Sequence, residues 1–145
     1  MRRLALLLSC LALAALGCGG PSKEEYRAEA RTICVDADRA TENIKAPTRK
    51  TPEAIADYFR RLLAPAERAT QRFEALEPPG DLEDAHDDVV RANRASVREV
   101  ELLVERLAQG GDSRQVLAGA QDRIRTLTRE ADAAAERLGV PECGQ

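Results

Sequence analysis

Proline and glycine divide this chain into four long amphipathic segments, and that division limits the folds open to it. The breaks fall at Ala46-Pro47, Pro78-Pro79-Gly80 and Gly110-Gly111. Proline interrupts the helical hydrogen-bond ladder, and glycine lowers helix stability. Between the breaks, apolar residues recur every three or four positions, which is the spacing of one helix face. The sequence therefore predicts an all-α fold, an up-down-up-down four-helix bundle over residues 22–145.

Capping signals indicate where each helix begins and ends. Ser22 followed by Glu25 is typical of a capping box, and Thr51 before Pro52 is a favoured helix start. Pro65 lies inside the second helix and predicts a bend there. Such a bend either marks a binding site or only curves the helix around the core, and we favour the second interpretation. The predicted helices run from Ser22 to about Ile44, from Thr51 to about Leu76, from a cap at Asp81 to about Gln109, and from a cap at Asp112 or Ser113 to Leu138, followed by Gly139.

The first seventeen residues have the layout of a secretory signal peptide. Arg2 and Arg3 give a positive start, and a largely apolar run over residues 4–16 follows, ending at small residues. The run is too short to cross a bilayer comfortably as a helix. We therefore expect residues 1–17 to be removed on export. Plain secretion, with Cys18 merely part of the signal, and an uncleaved anchor are the alternatives.

The signal ends in Ala15-Leu16-Gly17-Cys18, which resembles the lipobox of bacterial lipoproteins. The last two positions match, whereas Ala15 stands where Leu is usual and Leu16 where a small residue is usual. The resemblance implies diacylglyceryl transfer to the Cys18 thiol, cleavage before this cysteine, and usually N-acylation. Two acyl chains suffice for stable anchoring. We therefore expect an extracytoplasmic protein anchored to the cell membrane by lipid, with a short tether over residues 18–21.

Cys34 and Cys143 are the two cysteines in the body of the domain, and outside the cytoplasm such a pair is normally a disulfide. A redox pair or a thiolate metal site is the alternative, but the sequence has no CxxC motif and no Cys/His clustering. Cys34 lies about 18 Å along the first helix, at 1.5 Å per residue, whereas Cys143 follows the end of the fourth. Either the C-terminal tail doubles back, or the first turns of helix 1 project past the bundle toward the membrane. We expect the projection.

Charge and composition argue against nucleic acid as a partner. Removal of Arg2 and Arg3 with the signal lowers the formal net charge from −3 to −5, so the mature chain has no basic field. Two Tyr, two Phe and no Trp offer few rings for stacking on bases or sugars. The sequence also has no phosphate-binding loop, GxSxG or HExxH motif. We expect no cofactor and no enzymatic activity.

Three polar residues, His86, Asn93 and Ser96, fall on or near the apolar stripe of the third helix. Asn93 and Ser96 either line a polar pocket or fix the helix register, and we favour register. His86 has no Ser or Cys nucleophile nearby in sequence, so we expect it at the edge of the core, bonded to a neighbouring carboxylate. The acidic residues in 81–88 would ligate a cation or stabilise the helix N-terminus. Their spacing matches no EF-hand loop, so we favour the helix terminus.

Short motifs spread over the mature chain carry a second resemblance. They are Thr32-Ile33-Cys34, Pro65 within helix 2, Leu76-Glu77-Pro78-Pro79 and Leu138-Gly139-Val140-Pro141-Glu142-Cys143. In these motifs the chain resembles a group of small secreted or lipid-anchored helical proteins from high-GC, actinobacterial-type genomes. The resemblance implies fold, export and disulfide, and it implies no catalytic residue.

These observations favour a non-enzymatic lipoprotein whose helix faces bind an envelope protein or organise the cell surface. The expected partners are the lipid bilayer, through acylated Cys18, and an envelope protein. The alternative is a carrier of a small ligand or metal that uses the seam near Pro65, Asn93 and Ser96. A cavity between helices 2 and 3 with converging polar groups would favour the carrier, and a filled seam with an exposed apolar patch the interaction module.

Overall fold

The computed structural model describes residues 20–110 and 112–144, and this part of the chain contains helices and no strand. The predicted all-α fold with four helices is confirmed. The predicted signal peptide and Cys18 lie outside the described residues. The helices are α1 (Lys23–Glu42), α2 (Pro52–Glu74), α3 (Glu83–Ala108) and α4 (Ser113–Leu138), with short 3-10 turns at Gly80–Leu82 and Pro141–Cys143.

Three helices begin at the caps that the sequence predicts. At α1 the Ser22 hydroxyl accepts from the Glu25 N–H, and the Glu25 carboxylate accepts from the Ser22 N–H, which completes the capping box. The side chains of Thr51 and Asp112 likewise accept backbone N–H groups at the starts of α2 and α4. Gly139 ends α4 with a φ of 79°, in the left-handed region where glycine has no Cβ penalty.

The predicted cap of the third helix is wrong. The chain makes a 3-10 turn over Gly80–Leu82, and α3 begins at Glu83, after Leu82 and without a side-chain cap. Asp81 instead pairs with Lys23 of α1. Leu82 is buried in the core. The start of α3 is therefore held by burial of an apolar side chain and not by the capping hydrogen bond that the sequence predicted.

Pro65 does not divide the second helix. α2 is one helix from Pro52 to Glu74, and Pro65 is buried within it. Proline has no N–H, so the carbonyl of Arg61 lacks its usual partner in the helical ladder. The bend expected at this point stays a prediction.

Most of the buried hydrophobic side chains form two separate cores, one at each end of the bundle. The first joins the starts of α1 and α3 to the ends of α2 and α4. The second joins the starts of α2 and α4 to the end of α3. This alternation of starts and ends requires neighbouring helices to run antiparallel, as predicted. The first core contains Tyr26, Ala30, Ile33, Phe73, Leu82, Val89, Ala134, Leu138 and Val140, and the second contains Ile55, Ala56, Leu103, Val104, Leu107 and Ala120.

Helix α1 contributes to the first core alone. Its predicted seam is buried as far as Ile33, but Ala37 is only half-buried and Ala40 is exposed. The second half of α1 therefore lies outside the packed interior. Alanine side chains offer little apolar area to hold a helix against its neighbours, so this half has a weak driving force for burial.

The C-terminal tail, residues 139–144, doubles back between α1 and α4. Arg27 Nε donates to the Leu138 carbonyl at 2.9 Å, and Arg31 meets Glu142 one turn further along α1. On the other side, Gly144 packs so closely on α4 that an added Cβ would lie 2.7 Å from the Cα of Asp132. The tail thus fills the space between the two helices.

The expected projection of α1 past the bundle is therefore wrong. Tyr26, in the first turn of α1, is 1% exposed, and Val140 of the returning tail is fully buried. Burial of these two side chains favours the compact arrangement. Both cores and the disulfide lie between residues 26 and 143, so a chain of residues 20–145 contains them all.

Candidate functional site

An open cavity of about 290 Å³ lies between the two cores, and we call it the central groove. It is bounded by α1, α2, α3 and the C-terminal tail. Its volume is close to the lower end of the range for small-molecule sites. Most of its lining is apolar. The residues that line it are Cys34, Ala37, Asp38, Phe59, Leu62, Leu63, Ala66, Ala69, Thr70, Asn93, Ser96, Val97, Val100, Glu142 and Cys143.

Small side chains and the course of α1 leave this space unfilled. Between Ala92 and Leu103, α3 contributes no fully buried side chain. Ala66 and Ala69 face the groove from α2, where larger residues would close it. On the third side, α1 leaves the packed interior after Ile33. A gap therefore remains in the middle of the bundle, where a seam of larger residues would have joined the two cores.

The structure brings Asn93 and Ser96 together in the lining of the central groove. Both side chains are half-buried, and neither makes a hydrogen bond to another described residue. Thr70 differs, because its hydroxyl donates to the Ala66 carbonyl at 2.9 Å. The amide of Asn93 and the hydroxyl of Ser96 are therefore free to bond water or a ligand. The favoured interpretation, in which they fix register, has no hydrogen bond across helices to support it.

The disulfide forms one wall of the central groove. Cys34 and Cys143 are joined with an S–S distance of 2.00 Å and a Cα–Cα distance of 5.1 Å, within the range that a disulfide allows. The predicted pairing is confirmed. The bond holds the returning tail against the middle of α1, and so places Glu142 beside the groove.

Glu142 is ionised at neutral pH and only partly satisfied by hydrogen bonds. Arg31 Nε donates to its Oε1 at 2.8 Å. The backbone N–H of Glu142 and the Arg31 guanidinium hold the pKa of this carboxyl below its usual range. Its Oε2 is buried, and no group in the described part of the chain donates to it within hydrogen-bond geometry. The Glu142 side chain as a whole is 36% exposed, so its charge is partly solvated and stays available to a ligand that donates a hydrogen bond.

His86 lies apart from Asn93 and Ser96, in the first core. Its Nδ1 is 2.7 Å from the Tyr26 hydroxyl, and its ring stacks on Phe73 with centroids 5.4 Å apart. The expectation of a carboxylate partner is therefore wrong, because a tyrosine takes that place. Burial lowers the pKa of His86, against the opposing charges of Asp87 and Glu74, and burial raises the pKa of Tyr26 to about 12. The pair is neutral at neutral pH.

Two of the five carboxylates in the acidic stretch 81–88 form ion pairs on the surface. Asp81 pairs with Lys23, and Asp88 pairs with both Arg91 and Arg137. The two arginines lower the pKa of Asp88. Across residues 20–110 and 112–144, no group of three or more His, Cys, Asp or Glu side chains is placed to hold a metal ion.

Sequence reasoning missed Asp38 and Glu142 as residues of the central groove. Asp38 follows Cys34 by one helical turn, so the two share a face of α1. If the Cys34–Cys143 disulfide is assumed, the four-residue spacing from Cys34 to Asp38 predicts that the Asp38 carboxylate lies beside the disulfide. The position of Glu142 depends on the tail doubling back, which we did not expect.

Searches against known protein families, curated proteins and solved structures find no match for this chain. No described helix is long and apolar enough to cross a membrane.

Proposed function

We propose that this protein is a lipid-anchored, extracytoplasmic lipoprotein that binds a small apolar ligand in its central groove. The observation that carries the proposal is the unfilled, mostly apolar space between the two cores, with the free polar groups of Asn93 and Ser96 in its lining. Water in an apolar space is easily displaced by apolar groups, and uncommitted polar groups orient the molecule that enters. An apolar cavity of about 150 Å³ is enough to bind benzene.

A protein-interaction module is the second candidate, and fewer observations support it. Among the large hydrophobic residues that the structure describes, Leu102 is exposed, and its exposure is 37%. Single exposed hydrophobic residues are normal on any surface. The central groove instead presents its apolar surface in a concave form, which suits a small molecule entering the bundle better than a broad protein interface.

In this proposal the central groove binds its ligand and catalyses no reaction on it. The only histidine of the chain, His86, is held between Tyr26 and Phe73 and does not line the groove. Asn93 and Ser96 therefore have no imidazole base beside them. Their expected role is to orient a ligand.

Ligand binding is tested with a chain of residues 20–145 and N-phenylnaphthylamine, a neutral dye that fluoresces in apolar surroundings. We expect saturable one-to-one binding. Ser96→Leu should fill the groove and weaken binding about tenfold or more, because the added side chain occupies the ligand's space. Thr128→Leu is the matched control, since Thr128 is exposed on α4 and outside the groove. Absence of saturable binding, or equal loss in both variants, would contradict the proposal.

Membrane anchoring is tested separately in cells that export the full chain. Replacement of the lipid-bearing residue, Cys18→Ala, should move the protein from the membrane fraction to the soluble fraction, because the acyl chains supply the membrane affinity. Persistent membrane association after detergent-free washing would rule out the anchor and leave the ligand site unaffected.

A further inference from the structure

The charged residues of the central groove are of one sign. Among the described residues that line it, Asp38 and Glu142 are charged, and there is no lysine or arginine. Both carboxylates stand on the wall made by α1 and the tail. The opposite side, made by α2 and α3, is apolar apart from Thr70, Asn93 and Ser96. The groove thus has an acidic wall facing an apolar floor.

The two carboxylates differ in how far the protein already neutralises them. Arg31 approaches Glu142 through Oε1 and leaves Oε2 without a donor in the described part of the chain. Asp38 is exposed. The ion pairs that α1 makes with other described residues are formed by Lys23, Arg31 and Asp36, and Asp38 takes part in none of them. Negative charge at the groove wall is therefore only partly offset.

The apolar floor extends well beyond the acidic wall. From Thr70 to Phe59 the lining of α2 covers about 16 Å, and from Asn93 to Val100 the lining of α3 covers about 10 Å, at 1.5 Å per residue. Toward Phe59 and Val100 the lining residues are apolar. A ligand that fills this length needs an apolar chain or ring system, with any polar group confined to one end.

The negative charges of Asp38 and Glu142 determine which polar group a ligand can place at the acidic wall. A carboxylate or phosphate placed against Asp38 and Glu142 would meet like charge at the rim of the groove, and charge interactions near a protein surface are stronger than in bulk water. An ammonium group would be attracted to both carboxylates and could donate hydrogen bonds to them. A neutral hydroxyl would gain the hydrogen bond without the charge attraction.

We infer that the ligand of the central groove is a cationic amphiphile, a primary amine on an apolar body. Its ammonium group lies at Asp38 and Glu142, and its apolar part lies on the α2–α3 floor toward Phe59. This inference rests on the proposed function, because it names the chemical class of the ligand for that same site.

The test uses three probes with the same ten-carbon chain and different head groups: decylamine, decanol and decanoate. Each competes with N-phenylnaphthylamine for residues 20–145 at neutral pH, below the concentration at which the probe forms micelles. We expect decylamine to compete best and decanoate worst, with their dissociation constants differing about tenfold or more. The difference should shrink as salt is added, because exposed charge interactions are screened.

Variants connect the preference to the two carboxylates. Asp38→Asn and Glu142→Gln keep side-chain shape and remove charge, so the double variant should bring the amine and carboxylate affinities within about threefold of one another. Glu136→Gln, exposed on α4 and outside the groove, is the control and should leave the preference unchanged. If Glu142→Gln disturbs the tail through Arg31, seen as a lower melting temperature, Asp38→Asn alone should still reduce the preference.

The outcomes separate this inference from the proposed function. Equal competition by all three probes, or a preference that survives in Asp38→Asn and in the double variant, would overturn the cationic ligand and leave the binding site standing. Failure of the dye and of every probe to bind would overturn both.

Discussion

Acidification should destabilise the folded protein through a single side chain, because the chain has one histidine. His86 is 6% exposed, its ring stacks on Phe73, and its Nδ1 is 2.7 Å from the Tyr26 hydroxyl. Burial lowers the pKa of His86 from its ordinary value of 6.5. The unfolded chain has no such burial, so its histidine titrates near that ordinary value.

The sign and the limit of the effect follow from proton linkage. Because the folded-state pKa is the lower one, the unfolded state binds more protons as the pH falls through about 6.5, and stability falls with pH. If the folded state took up no proton at all, the loss from about pH 7.5 to about pH 5.5 would be about 1.4 kcal/mol. The negative charges of Asp87 and Glu74 favour the imidazolium, so the measured loss should lie below that limit.

Carboxylates do not obscure this pH window. Glu74 and Asp88 also have lowered pKa values, held down by Arg94 and by Arg137 with Arg91. Their folded-state pKa lies below that of the unfolded chain, so their contribution is lost only as the pH falls below the ordinary carboxyl range, near 4.

Urea denaturation of residues 20–145 at a series of pH values measures the effect. The wild type should lose stability between about pH 7.5 and about pH 5.5, and His86→Gln should remove most of that slope. Tyr26→Phe is the informative control. It should cost about 1 kcal/mol at every pH through the lost hydrogen bond, yet keep the slope, since the histidine remains buried. A wild type with constant stability, or a His86→Gln variant with the wild-type slope, would refute this account.

Three further comparisons test the fold by the same measurement: reduction of the disulfide, a pair of glycine substitutions and a pair of substitutions at helix starts. Reduction of the disulfide, whose cysteines are 109 residues apart, should lower the free energy of unfolding by up to about 4.7 kcal/mol; an unchanged curve, with reduction verified by thiol labelling, would contradict a stabilising bridge. Gly139→Ala should destabilise by about 1 kcal/mol because φ is 79° there, whereas Gly119→Ala, with open space where the Cβ would lie, should stabilise by a similar amount. Ser22→Ala should cost about 1 kcal/mol as a lost cap, and Asp81→Ala should cost less, because it removes only an exposed ion pair; the reverse order would contradict the observed helix starts.

The candidate site was only partly predictable. Asn93 and Ser96 could be placed on the seam from helical spacing, and both line the central groove. Whether the seam is filled depends on how far α1 follows its neighbours. Ala37 and Ala40 carry the same periodic pattern as Ala30, yet Ala30 is fully buried and Ala40 is exposed. Periodicity shows which face of a helix is apolar, and it is silent on whether a partner reaches that face.

Contacts between distant segments were equally beyond the sequence. The partner of His86 is Tyr26, 60 residues away, while the sequence nearby offers many carboxylates that would serve as well. The path of the tail was wrongly expected, because a disulfide between Cys34 and Cys143 is compatible with either arrangement. Burial of Val140 and the fit of Gly144 against Asp132 favour the returning path.

By itself the sequence determined the four helices, most of their caps, their antiparallel order and the disulfide. These features depend on short-range physics: residue spacing along a helix, side-chain bonds to nearby backbone, short connections, and a single cysteine pair in the domain. Tertiary structure decided the tail's path, the partner of His86 and the central groove. Each depends on which apolar surfaces meet across the bundle. The alanines in the second half of α1 bury little apolar area, so the position of this half is determined by the packing of the whole domain and not by its own sequence pattern.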